Sequence, residues 1–72
     1  MEGNQAHADR MWDRLAKRGW ILRLEGPEPQ TATPYKCTVR RAGTLLEGLG
    51  TTRVEAVLRC AKVVEEDERR TD

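Results

Sequence analysis

Few residues in this chain could do covalent or proton-transfer chemistry. There is one histidine, His7, and there are two cysteines, Cys37 and Cys60. Nucleophilic catalysis needs a thiol or hydroxyl beside a base that a third group orients. His7 falls in the first turn of a predicted helix, beside an end expected to fray, which suits a solvated ring. Glycoside chemistry needs two carboxylates facing each other across a cleft. The acids here lie on helix faces and in the tail. Structural zinc needs four ligands, and the thiols and imidazole end at three, with no CxxC pair. Gly48-Leu49-Gly50 before Thr51-Thr52 resembles an anion-binding turn. It lacks the lysine of a phosphate loop, and close packing where a strand turns into a helix is the better account. No catalytic, cofactor or metal site is therefore expected. The chain is expected to act by binding.

The remaining composition narrows the class. Seventy-two residues allow one domain, expected over 1–72 with frayed ends at 1–5 and 68–72. A net charge of +1 makes no global case for nucleic acid. No apolar run approaches spanning length, and Met1 to Arg10 lacks a signal peptide's apolar stretch. The expectation is a cytoplasmic protein without membrane partners. In that compartment Cys37 and Cys60 read as small buried hydrophobes, with a disulfide as the alternative.

The elements follow from periodicity. Ala8, Met11, Trp12, Leu15 and Ala16 form one face of a helix over about 6–18, with Asn4 as its N-cap and Gly19 as its C′ residue. Asp13 and Lys17 have the favourable i,i+4 order. The period then becomes two. Trp20, Leu22 and Leu24 alternate with Ile21, Arg23 and Glu25. Gly26-Pro27-Glu28-Pro29 ends that strand, and a proline-stiffened loop runs to Pro34. Tyr35, Cys37 and Val39 alternate with Lys36, Thr38 and Arg40 in a second strand. Ala42-Gly43 suits a tight hairpin. The third strand, 44–49, has an ambiguous register: Leu45 and Leu49 share a face with Glu47, and Leu46 shares the other with Gly48. Thr52 and Glu55 have capping-box spacing. The last helix should run to about Glu68, with Val54, Val57, Leu58, Ala61 and Val64 as its main stripe.

Such a chain is predicted to be α+β, in the order α–β–β–β–α, with a three-stranded antiparallel sheet and two helices packed on one face. Trp12 and Trp20 fall on core faces. Two surfaces then stand out. Arg23, Lys36 and Arg40 should lie together on the open sheet face, as cations without matching acids. Ala56, Cys60 and Val63 widen the last helix's apolar arc and could form a two-fold interface with a second copy. The competing account is that the third strand and the loop after Pro34 cover that flank.

Two resemblances share this layout. Met11-Trp12, Leu15 through Trp20, Tyr35 through Val39 and Thr51 through Ala61 resemble the phage ABA-sandwich domains, over about residues 8–64. That resemblance implies a small non-enzymatic phage or prophage accessory protein. It would bind and inhibit a host macromolecule, such as a defence effector or transcription machinery. Gly26-Pro27, Gly48-Leu49-Gly50 and the start of the last helix resemble the double-stranded-RNA-binding domain, whose implied function is nucleic-acid binding. Of that family's basic helix start, only Arg53 is matched; Val54 and Val57 stand at the other positions. Phosphate neutralisation sets affinity and its salt dependence. Weak, steeply salt-dependent binding of duplex RNA is expected at most. A small structural homodimer is the third reading.

Overall fold

The computed structural model describes residues 2–70. The elements follow in the order α1 (Glu2–Lys17), β1 (Ile21–Glu25), β2 (Tyr35–Arg41), β3 (Thr44–Gly50) and α2 (Arg53–Arg70). The strands form one antiparallel sheet in the order β1-β2-β3. Both helices cover the face that carries Cys37 and Val39, so the domain has two layers and one open sheet face.

Helix α1 begins at Glu2, so Asn4 lies inside the helix and does not cap it. Ala8 and Leu15 are buried, Met11 and Trp12 half-buried, and Ala16 exposed, which makes the apolar stripe narrower than expected. Lys17 pairs with Asp13 at 3.0 Å. The helix stops at Gly19, whose φ of +92° an L side chain rarely adopts. Trp20 N donates to Leu15 O and Gly19 N to Ala16 O, each at 3.1 Å. This paired closure satisfies two orphan carbonyls and drops Trp20 into the core beside Leu15.

Strand β1 alternates as its sequence predicts. Leu22 and Leu24 face the helices; Ile21, Arg23 and Glu25 face out. The loop to β2 is closed by Glu28 N donating to Pro34 O at 2.8 Å. Between β2 and β3, Ala42 and Gly43 both have positive φ, +48° and +84°. Those signs define a turn whose twist matches that of the flanking strands. The pairing Arg41↔Thr44 follows, and with it the register of β3. Leu46, Gly48 and Gly50 face the helices, and Leu45, Glu47 and Leu49 face out.

At the start of α2, Glu55 N donates to Thr52 Oγ1 at 3.1 Å. The Glu55 carboxylate reaches back to Thr51, accepting from its N at 3.2 Å and from its Oγ1 at 3.1 Å. The cap is therefore a capping box displaced by one residue on its return arm. The helix continues to Arg70, beyond the expected end. Met1, Thr71 and Asp72, part of the ends expected to fray, lie outside the described residues.

The buried stripe of α2 differs from expectation. Ala56, Val57, Cys60 and Val64 are buried, while Val54, Leu58 and Ala61 are only partly covered. The helix is rotated toward Ala56 and Cys60 because β3 presents no side chain there. A Cβ at Gly48 would stand 2.7 Å from Cys60 Cα and 2.8 Å from Ala56 O. One at Gly50 would stand 2.5 Å from Ala56 N. The helix backbone thus lies directly on the strand backbone. Ala56 and Cys60 are wholly inaccessible, which corrects their expected place in an interface with a second copy. The third strand covers that flank, leaving only Val63 half-exposed.

This contact sets a sharp test. Gly48→Ala has no room, and the urea midpoint should fall by the equivalent of about 3 kcal/mol or more. Ala42→Asn, which tolerates positive φ better, should raise stability by up to about 1 kcal/mol in the same assay.

Candidate functional site

The open sheet face is a three-by-three array set by the strand register. Ile21, Arg40 and Leu45 form one row across the sheet. Arg23, Thr38 and Glu47 form the middle row, and Glu25, Lys36 and Leu49 the third. Arg23, Lys36 and Arg40 do share this face. The expectation that they lack acids needs correction. Arg23 Nε lies 3.8 Å from Glu25 Oε1, and Lys36 Nζ lies 4.0 Å from Glu47 Oε2. Side chains two positions apart on one strand, or opposite and diagonal across strands, come within reach of each other. Alternation puts Glu25 on the face of Arg23, and the register of β3 brings Glu47 diagonal to Lys36. Arg40 has no ion pair within 4.0 Å among the described residues.

The same face holds the large aliphatics left in solvent. Ile21 is 63% exposed, Leu45 64% and Leu49 40%. Ile21 and Leu45 flank Arg40 in one row, so the surface alternates apolar, cationic and apolar across the three strands. The loop after β1 borders the third row, where a cleft of about 230 Å³ lies between Thr31, Pro34, Lys36 and Leu49. On the outer edge of β3, Arg59 Nη1 donates to Leu49 O at 3.3 Å and Arg59 Nη2 pairs with Glu55 at 3.2 Å. That side chain covers part of the strand's free edge.

Other polar groups serve the fold. Arg41 lies on the helical side, with its guanidinium carbon 4.3 Å from the centre of the Trp20 ring. Arg41 Nη1 donates to Arg18 O at 2.9 Å, and its Nη2 lies 3.6 Å from Glu68. Glu68 also accepts from Arg18 at 2.9 Å. This cluster ties the ends of α1, β2 and α2 together through Glu68. Trp20 Nε1 is buried with no hydrogen-bond partner among the described residues. The arginine over the ring is the polar contact the indole makes. Arg53 stands with its guanidinium carbon 5.8 Å from the Tyr35 ring centre. His7 is exposed on α1. Among the described residues, no group of three or more His, Cys, Asp or Glu could hold a metal ion.

Cys37 on β2 and Cys60 on α2 meet in the core as free thiols. A hydrogen bond to Cys60, and then burial, push the Cys37 thiol well above its ordinary range. Both effects favour the neutral S–H form.

Neither a known protein family, nor a curated protein, nor a solved structure matches this chain.

The thiol environment carries a pH dependence. With the folded-state value raised, the neutral Cys37 thiol stabilises the fold fully below the unfolded value of roughly 8.5, and less as pH rises above it. The Cys37 contribution should therefore fall between about pH 8.5 and 9.5, opposed in part by Cys60, whose thiol the same hydrogen bond lowers. Urea titrations across that window test this. The double change Cys37→Val and Cys60→Ala should flatten the dependence, and a slope that persists in it assigns the loss to other groups.

Proposed function

We propose that this chain is a small non-enzymatic binding protein whose open sheet face docks on a partner protein. The supporting observation is that Ile21, Leu45 and Leu49 are left in solvent on that face. Solvated sheet faces normally carry polar residues. Three large aliphatics on one solvated sheet face, interleaved with charge, depart from that pattern, and the proposal takes them as the contact surface. The resemblance of residues 8–64 to phage sandwich domains supports reading the partner as a host macromolecule and the result of docking as inhibition. No helix among the described residues is long and apolar enough to cross a membrane. Burial of Ala56 and Cys60 removes the support for self-association through α2.

The test uses the full chain, tagged and recovered from cells that contain its partner. Ile21→Glu combined with Leu45→Glu changes two exposed residues, so the fold should keep its circular dichroism and melting temperature. Recovery of the bound protein should drop by about tenfold or more, since each glutamate would place an unpaired charge where the contact excludes water. A partner recovered undiminished by the folded double variant defeats the reading.

A further inference from the structure

The row Ile21–Arg40–Leu45 constrains the chemistry of whatever covers it. We propose that the open sheet face recognises an amphipathic helix of a partner protein, laid across the three strands, with a carboxylate between two apolar side chains. This rests on the docking role proposed above.

The argument begins with desolvation. Ile21 and Leu45 gain from contact only when water leaves both. Arg40 stands between them on the central strand, so covering the two aliphatics also covers the guanidinium. A desolvated, unpaired charge is strongly unfavourable. Glu25 and Glu47 lie against Arg23 and Lys36, and Arg40 has no ion pair of its own within 4.0 Å among the described residues. An anion that the partner brings to the middle of the row removes that cost. A carboxylate matches the guanidinium fork with two parallel hydrogen bonds, and the flanking aliphatics keep water from that pair.

Spacing points to a helix. Neighbouring strands lie roughly 4.8 Å apart, which puts Ile21 and Leu45 roughly 10 Å from each other with Arg40 midway. Helix positions i and i+7 lie roughly 10.5 Å apart along the axis on one face, with i+3 and i+4 between them. An apolar residue at i, an acid at i+3 or i+4 and an apolar residue at i+7 meet the three groups in order.

Two other occupants fit less well. A second copy packed face to face about a two-fold axis along β2 would set Arg40 against Arg40 and Lys36 against Lys36. Like charges opposed in a closing interface disfavour that dimer. A nucleic-acid backbone could satisfy Arg40. It would also bring phosphates to Glu25 and Glu47 and leave Ile21 and Leu45 without apolar contacts.

The experiment titrates the isotope-labelled full chain with three synthetic helical peptides and follows backbone amide shifts. One peptide carries leucine, glutamate and leucine at i, i+4 and i+7. The second has lysine for the glutamate, and the third has serine for both leucines. The glutamate peptide should shift amides around Ile21, Arg40 and Leu45, and bind about tenfold more tightly than either of the others. Arg40→Glu should reverse the preference, so that the lysine peptide binds better. That exchange separates recognition from a general disturbance of the sheet. Equal binding of the glutamate and lysine peptides overturns the proposal, as does the absence of shifts on this face with the glutamate peptide. Shifts produced there by a short duplex RNA but not by the glutamate peptide overturn it in favour of nucleic acid. A dimer in sedimentation that Leu45→Glu dissolves overturns it in favour of a second copy. The docking role is judged separately, by whether Ile21→Glu with Leu45→Glu abolishes partner recovery. An acid-blind peptide result with that loss intact removes only the acidic helix.

Discussion

The close seat of the α2 backbone on Gly48 and Gly50 of β3 governs the rest of the structure. A small chain has little apolar surface to bury, and packing density sets how much dispersion energy that surface returns. Removing two side chains from β3 lets the helix sit low on the sheet. Ala56 and Cys60, themselves small, complete the contact. The helix is thereby rotated, so that Val57 and Val64 point to the centre of the core and Val54, Leu58 and Ala61 are left at its margin. It also brings Cys60 against Cys37, filling the space under the central strand with two soft side chains.

At the opposite end of the core the problem is different. Trp20 is too large to be hidden by the sheet alone. It enters the core through the closure of α1 at Gly19 and is covered by the guanidinium of Arg41. That guanidinium is held in turn by the Arg18 carbonyl and the Glu68 carboxylate. The three members of this cluster remain partly solvated, so its electrostatic contribution is modest. Its role is geometric: the C-terminal ends of α1 and α2 and the end of β2 are fixed to one another. Glu68 is thereby a helical residue with partners at Arg18 and Arg41, although its neighbours in sequence are nearly all charged.

These two contacts spend the small residues and the aromatics on the helical face. What remains on the open face is a mixed array in which aliphatic and charged side chains alternate. The acids there do not neutralise the surface evenly. They lie beside Arg23 and Lys36 and leave Arg40 between Ile21 and Leu45. A surface of that kind is costly to cover with the wrong partner and favourable to cover with the right one, which is how a small domain obtains specificity without a pocket.

The element order, the strand faces of β1 and β2, the glycine closure of α1 and the threonine cap of α2 were all legible in the chain. Each rests on local rules: a period of 3.6 or two, a left-handed position, a donor needing an acceptor within four residues. Three things needed the tertiary structure. The register of Thr44–Gly50 is undecidable from alternation, since leucines occupy both phases; the Ala42-Gly43 turn and the glycine seat for α2 select one. Helical spacing from Val54 runs through Leu58 and Ala61, whereas close approach to the glycines of β3 buries Ala56 and Cys60. Of the acids on the open face, Glu25 joins Arg23 by alternation alone, whereas Glu47 reaches Lys36 only once the register of β3 is set. Local sequence determines which residues alternate and where elements stop. Only the packing of one element on another decides which of two apolar phases is buried, because that choice depends on the shape of the surface it meets.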